Sequence, residues 1–217
     1  MNVEQARFNM IEQQIRPWDV LDSSVLSLLS IVRREDFVPS AHRSLAFMDL
    51  EVPLSGGRAM LAPKLEARLV QDLNLSKRDS VLHIGAGTGY VTALLAHKAR
   101  RVIGLESQSD LVQVARSNLR QAGINNAEIV QSDGAQGLAA QGPFDAILLT
   151  GSVAAVPQVL LDQLKEGGRL LAIVGEEPIM RAALYTRLGN GQFSSENLFD
   201  TIAPRLEGFS VPSRFHF

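Results

Sequence analysis

The chain has 217 residues, 46% of them hydrophobic and 20% charged, which describes one globular core and excludes a disordered chain. A formal net charge of -2, with basic residues in isolated pairs such as Arg33–Arg34, Lys77–Arg78 and Arg100–Arg101, supplies no phosphate track, so no nucleic-acid partner is expected. Cysteine is absent, which removes disulfides, thiolate metal sites and cysteine nucleophiles together.

Met1–Arg16 mixes acids, amides and arginines without an apolar run, so no secretory signal is expected. The longest apolar stretches fall far short of the ~20 residues a membrane-spanning helix needs. A cytoplasmic protein with no membrane partner is the expectation. Val3–Gln14 reads as one helix, ended by Arg16-Pro17-Trp18, and Asp22 or Ser23 can cap a second through Val25–Val32. Pro39, Pro53, Gly56 and Gly57 mark a long irregular segment, and Pro63 can open a helix over Lys64–Leu73. Residues 1–78 are thus expected to form a helical and loop extension that packs on a core of residues 79–217 and lines its cleft.

From Ser80 onward short apolar runs alternate with helical patterns. Strands are predicted at Ser80–Ile84, Arg101–Leu105, Ala127–Val130, Phe144–Thr150 and Arg169–Val174, and helices at Val91–Ala99, Ser109–Ala122, Gly134–Ala140 and Val156–Leu164. Near-continuous apolar strands between helices predict an α/β fold with a parallel sheet covered on both faces. Ala182–Leu188 and Glu196–Ile202 add two strands around Gly189-Asn190-Gly191, a turn suited to an antiparallel hairpin. That makes seven strands; the local pattern does not set the order of the last two. Phe215 and Phe217 in the tail are expected to dock on the body.

The segment Val81-Leu82-His83-Ile84-Gly85-Ala86-Gly87-Thr88-Gly89-Tyr90 runs a strand through three glycines into a helix. Glycine serves where the backbone approaches a ligand closely, and the helix start offers free N–H groups. The spacing is GxGxG, neither the dinucleotide GxGxxG nor a Walker loop with its lysine. Glu106 ends the second strand, where an acid can accept both ribose hydroxyls or simply face solvent. Asp133-Gly134 follows the third, where an aspartate can accept from an adenine amino group or cap the next helix. Loops of this kind at successive strand ends form the crevice where open α/β sheets bind ligands. None of the four histidines has metal-ligand spacing to another, and no metal is expected.

With these motifs the chain resembles the class I methyltransferases dependent on S-adenosyl-L-methionine (SAM), and is similar to the protein-L-isoaspartate O-methyltransferase family. The resemblance covers nearly the whole length. It runs through Arg34-Glu35-Asp36-Phe37-Val38-Pro39, Leu45-Ala46-Phe47-Met48-Asp49 and Pro53-Leu54. Beyond the glycine motif it takes in Asp133-Gly134, Pro143-Phe144-Asp145-Ala146-Ile147 and Leu164-Lys165-Glu166-Gly167-Gly168-Arg169-Leu170. It implies a Rossmann-like fold with SAM held by His83, Gly85, Ala86, Gly87, Thr88, Gly89, Glu106, Ser107, Asp133, Gly134 and Thr150. It further implies methylation of a carboxylate on damaged aspartyl residues of a protein or peptide, by a monomer or weak homodimer. A carboxylic acid ordinarily loses its proton near pH ~4, so the acceptor is already ionised at neutral pH and no catalytic residue is assigned.

The pattern departs from the family's at three places. Just before the first glycine pair, where the family usually has an acid, stands His83, which carries no negative charge for the cationic parts of SAM. The family's Gln-Thr-Ile-Ser-Gln-Pro cleft segment is here Arg58-Ala59-Met60-Leu61-Ala62-Pro63, with leucine in place of the serine that contacts the reacting carboxylate. Arg58, Met60 and Leu61 are the substrate-cleft candidates, Arg58 either as an anion clamp or as an exposed loop arginine. Thr150-Gly151-Ser152-Val153 replaces a Thr-Ala-Ala-Ala-like run. The resemblance therefore leaves three readings: the isoaspartyl reaction, a changed acceptor, or a non-catalytic SAM-binding module.

Overall fold

The computed structural model describes residues 2–210; the expectation for Phe215 and Phe217 lies outside these residues. Two short strands, Val52–Pro53 (β1) and Ala59–Met60 (β2), pair antiparallel as a hairpin of their own. The main sheet holds Ser80–Ile84 (β3), Arg101–Glu106 (β4), Ala127–Gln131 (β5), Phe144–Val153 (β6), Leu164–Glu176 (β7), Ile179–Arg187 (β8) and Phe193–Thr201 (β9). Their order is β5-β4-β3-β6-β7-β8-β9. The five strands β3 to β7 are mutually parallel, and β7, β8 and β9 form an antiparallel meander at one edge. The last two strands therefore follow chain order, because two-residue and Gly-Asn-Gly turns join only antiparallel neighbours.

The helices are Val3–Met10 (α1), Ser23–Ile31 (α2), Pro63–Asp72 (α3), Tyr90–Lys98 (α4), Ser109–Gln121 (α5) and Gln158–Leu161 (α6). The first helix is longer in path than predicted but irregular: after Met10 it widens to a π-turn through Ile15. It then tightens to a 3₁₀ turn over Arg16–Trp18, ending where Asp19 turns left-handed at φ 60°. Asp22 is the cap of α2, accepting from the Ser24 N–H at 2.8 Å. Pro63 is the first residue of α3.

Two predicted helices are corrected. Gly134–Ala140 is not helical; only Ala139–Gln141 makes a 3₁₀ turn. Gly134 and Gly137 have φ of 82° and 63°, which an α-helix cannot contain, and Gln163 takes over the bonding that a helix would supply. Its Oε1 accepts from Leu138 N–H at 2.7 Å and its Nε2 donates to Gln136 O at 2.8 Å. Val156–Leu164 shortens to the four residues of α6, since Leu164 already pairs with Phe144 in the sheet.

The sheet separates two apolar clusters. Val81 and Val102 face a cluster that also takes in Met10, Leu29, Phe37, Leu69 and Leu94, so the N-terminal segment covers one face of the sheet. Leu82, Ile84 and Ile103 face the other, with Phe144, Leu160, Leu206 and Phe209. Arg34 is wholly buried and ties the first side together: it meets Glu66 at 2.9 Å and donates to Ala46 O and Leu61 O at 2.9 and 2.8 Å. Among the described residues no helix is long and apolar enough to cross a membrane.

Candidate active site

Strand order reverses between β3 and β6: β4 and β5 lie on one side of β3, and β6 lies on the other. The crevice outside the carboxyl ends of these strands is where ligands bind in open α/β sheets. Gly85–Thr88 follow β3, Glu106 and Ser107 end β4, Asp133 and Gly134 follow β5, and Thr150 lies within β6. The sheet thus brings the predicted loops to one edge.

The glycine turn is anchored by the acid next door. Glu106 is 2% exposed; its Oε2 accepts from Gly87 N–H at 2.8 Å and its Oε1 from Gln108 N–H at 3.1 Å. Gly87 has φ 54° and lines both small cavities of the crevice, with Leu54 in ordinary contact at 3.6 Å from where a Cβ would stand. Gly89 is the cap of α4 and packs on Ala115 of α5, where a Cβ would come within 3.3 Å of that residue's backbone. Ala86 and Thr88 line a cavity of about 20 Å³ with Met60, Leu61, Glu66 and His83. The Thr88 carbonyl accepts from Asn118 Nδ2 at 2.9 Å, and its buried hydroxyl has no partner among the described residues.

His83 sits inside β3, not at its end, and is completely buried between α4 and β6. Its ring nitrogens lie 2.8 Å from Thr92 Oγ1 and 2.8 Å from Thr150 Oγ1. Burial pushes its pKa down from 6.5 to about 3, so the imidazole is neutral at physiological pH. Thr150 passes the contact on, donating to Gly85 O at 2.7 Å. His83 therefore supports the glycine turn through Thr150 and brings no charge to the crevice. Asp133 is exposed and accepts from Ala135 N–H at 3.0 Å, holding the turn that replaces the predicted helix. Gly134 packs directly on Ile84.

The cleft candidates come from the β1–β2 hairpin. Leu61 is 2% and Met60 5% exposed, both packed in the apolar wall. Arg58 is no free loop arginine: its side chain is only 14% exposed and its guanidinium donates to Ser107 Oγ at 2.8 Å, with Glu106 Oε1 at 3.5 Å. Sequence reasoning missed the segment after β9. It joins the sheet edge by an isolated bridge between Arg205 and Ser152, and Leu206 packs over Gly85 and Gly151. Glu207 accepts from Ser107 Oγ at 3.0 Å. An Ala-Pro-Arg-Leu run carries no local signal of this place, since only the meander of β7–β9 returns the chain there. Leu54, Arg58, Leu61, Glu106, Thr150 and Leu206 enclose a second small cavity of about 40 Å³. A larger cavity of about 460 Å³, between Arg33, Phe37, Arg43, His97 and Gln121, is lined by none of the strand-end loops.

The donors and acceptors suit an adenosyl ligand: a buried acid for a diol, an exposed aspartate for an amino group, and the Gly87 backbone lining both small cavities. Ligand pockets of roughly 300–1,000 Å³ are usual for such molecules, well above the two cavities of about 20 and 40 Å³ seen here. Among the described residues no cluster of three or more histidine, aspartate or glutamate side chains could hold a metal ion.

The sequence profile of the protein-L-isoaspartate(D-aspartate) O-methyltransferase family matches residues 5–203. A protein-L-isoaspartate O-methyltransferase of Rhodopseudomonas palustris is 37% identical over 207 residues, 94% of this chain and 95% of that one. Protein-L-isoaspartate O-methyltransferase 2 of Pelobacter propionicus is 36% identical over 198 residues, 91% of this chain and 88% of that one. In three dimensions the chain superposes on a Plasmodium falciparum structure described as a protein-L-isoaspartate O-methyltransferase in complex with S-adenosyl-L-homocysteine. That likeness has a TM-score of 0.79 and 25% identity, covering 95% of this chain and 99% of that one. The buried acid beside the glycine turn and the match along almost the whole length agree: the chain belongs to the protein-L-isoaspartate(D-aspartate) O-methyltransferase family and is a SAM-dependent methyltransferase.

Proposed function

We propose that the crevice holds SAM on residues 85–88, with Glu106 accepting from the ribose hydroxyls, Ser107 beside it and Asp133 accepting from the adenine amino group. Gly134 brings the Asp133 loop against β3, Thr150 and His83 hold the turn in shape, and Gly89 positions α4. The methyl acceptor is a carboxylate of an isoaspartyl or D-aspartyl residue in a protein or peptide. Residues 1–78 line the cleft and the remainder forms the cofactor core. A cytoplasmic enzyme suits the cysteine-free composition, and a monomer or weak homodimer is the assembly proposed with it. The observation that carries this reading is the convergence of Glu106, held on Gly87, with the hairpin that bears Arg58 and Leu61.

The bound cofactor supplies an electrophilic methyl group: a carboxylate oxygen forms the new C–O bond as the C–S bond breaks, its electron pair staying on sulfur. The acceptor needs no proton removed, so the residues have to align it and exclude water. Leu54, Met60, Leu61 and Leu206 supply the water-excluding wall. A changed acceptor is the second reading, favoured by Leu61, because a leucine cannot hydrogen-bond the carboxylate that the family's serine contacts. Incubation with labelled SAM and an isoaspartyl peptide decides between them. Methyl ester above the normal-aspartyl control is expected; a protein that binds SAM by calorimetry yet leaves the peptide unmodified has another acceptor.

A further inference from the structure

The β1–β2 hairpin is fastened to the loop after β4 and to the first turn of α5 at three points. Ser55 Oγ donates to Asp110 Oδ2 at 2.5 Å, Gln108 Nε2 to Gly56 O at 3.3 Å, and Arg58 Nη2 to Ser107 Oγ at 2.8 Å. The same guanidinium stands 3.5 Å from Glu106 Oε1 and 3.7 Å from Glu207 Oε2. Glu106 already gives its other oxygen to Gly87 N–H. A ribose diol arriving at Glu106 therefore competes with Arg58 for Oε1. An arginine that loses a nearly buried carboxylate partner has to find another anion or reach water.

Glu207, 3.7 Å away, stays beside the guanidinium, but its side chain is 52% exposed and screened by water, so a carboxylate entering the cleft is the stronger partner. The crevice wall next to Arg58 is made by Leu54, Leu61 and Leu206. Arg205, the other cation at this rim among the described residues, is turned to Gly175 O at 3.2 Å and Glu176 at 3.7 Å. A carboxylate entering beside the hairpin meets Arg58 as its charged donor, in a site where leucine occupies the place of a hydroxyl.

We propose that Arg58 is a two-position ligand: it pairs with Glu106 in the arrangement seen here and transfers to the acceptor's carboxylate when a ribose takes Glu106. The inference rests on the reading of the cofactor as SAM and of the acceptor as a carboxylate. A guanidinium that holds one carboxylate oxygen leaves the other free to meet the methyl group. The acceptor then binds after the cofactor, and by linkage each strengthens the binding of the other. Arg58 becomes the specificity-determining residue for an anionic acceptor in a crevice that lacks the family's serine.

Titration calorimetry with S-adenosylhomocysteine tests the first half. Arg58→Ala and Arg58→Gln, each checked for an unchanged melting temperature, are expected to bind it several-fold more tightly than the wild type, since the guanidinium no longer competes with the ribose for Glu106 Oε1. Unchanged or weaker binding in both variants overturns the proposal. The second half is read with an isoaspartyl peptide, titrated with and without saturating S-adenosylhomocysteine. The wild type is expected to gain at least tenfold in peptide affinity from the nucleoside, and both variants to lose that gain. A gain that survives in Arg58→Ala overturns the acceptor role. Should the wild type bind the nucleoside but no peptide, the isoaspartyl reading fails, while the S-adenosylhomocysteine comparison still decides whether Arg58 competes for Glu106.

Discussion

At the scale of single residues, His83 shows how one substitution can change the electrostatics of a site and leave its architecture standing. In a strand interior, with both ring nitrogens 2.8 Å from threonine hydroxyls, the imidazole is bonded as a neutral group. In the unfolded chain it takes a proton near 6.5, but in the folded chain not until about 3. The stability it contributes is therefore complete above pH 6.5 and is lost progressively as pH falls from 6.5 toward 3, at about 1.4 kcal/mol per pH unit. His83→Gln removes the titration, so its stability should fall by about 2 kcal/mol less than the wild type's between pH 7 and 5. Urea unfolding at the two pH values measures this, and equal losses in both proteins would refute it. The same residue was legible in the sequence only as a departure from the family pattern; its partner Thr92 lies within the first turn of α4 and carried no signal.

At the scale of elements, boundaries followed local chemistry wherever that chemistry was decisive. β3 occupies the predicted Ser80–Ile84, and α3 starts on Pro63. The helix expected over Gly134–Ala140 failed because its polar groups are bonded from a distance, by Gln163 beyond α6. Gln163 is 6% exposed and also donates to Val159 O at 2.9 Å. Gln163→Leu should cost about 2–4 kcal/mol, since it leaves Leu138 N–H and Gln136 O without partners. Chemical denaturation reads the cost; a loss below about 1 kcal/mol would mean that water replaces the amide without penalty. The loop that carries Asp133 is built on this turn, so the same variant should also weaken S-adenosylhomocysteine binding.

At the scale of the whole molecule, the N-terminal segment and the sheet share one apolar cluster, and a buried ion pair lies within that segment where it meets the core. Arg34 and Glu66 are 0% and 3% exposed. Burial pushes the Glu66 carboxyl above its ordinary range, and Arg34 opposes that shift. Breaking such a pair by removing one partner typically costs about 3–5 kcal/mol, whereas replacing both with apolar residues is often near neutral. Arg34→Met should accordingly lower the melting temperature sharply, and Arg34→Met with Glu66→Met should recover most of the loss. A double variant as unstable as the single one would show that Arg34 acts mainly through Ala46 O and Leu61 O, the backbone of the cleft segment.

By itself the sequence determined the alternation of strands and helices, the glycine turn, the acids at successive strand ends and the hairpin around Asn190. Each depends on residues close together in the chain: apolar period, glycine placement, turn chemistry. Tertiary structure alone decided the neutral bridge from His83 to Thr150 and the meeting of Arg58, Ser107 and Glu207. Those contacts join residues 49 to 100 positions apart, and they arise only after the sheet has stacked its strands and returned the chain end to the crevice. No local pattern records them, because loop closure and burial, not propensity, select their partners.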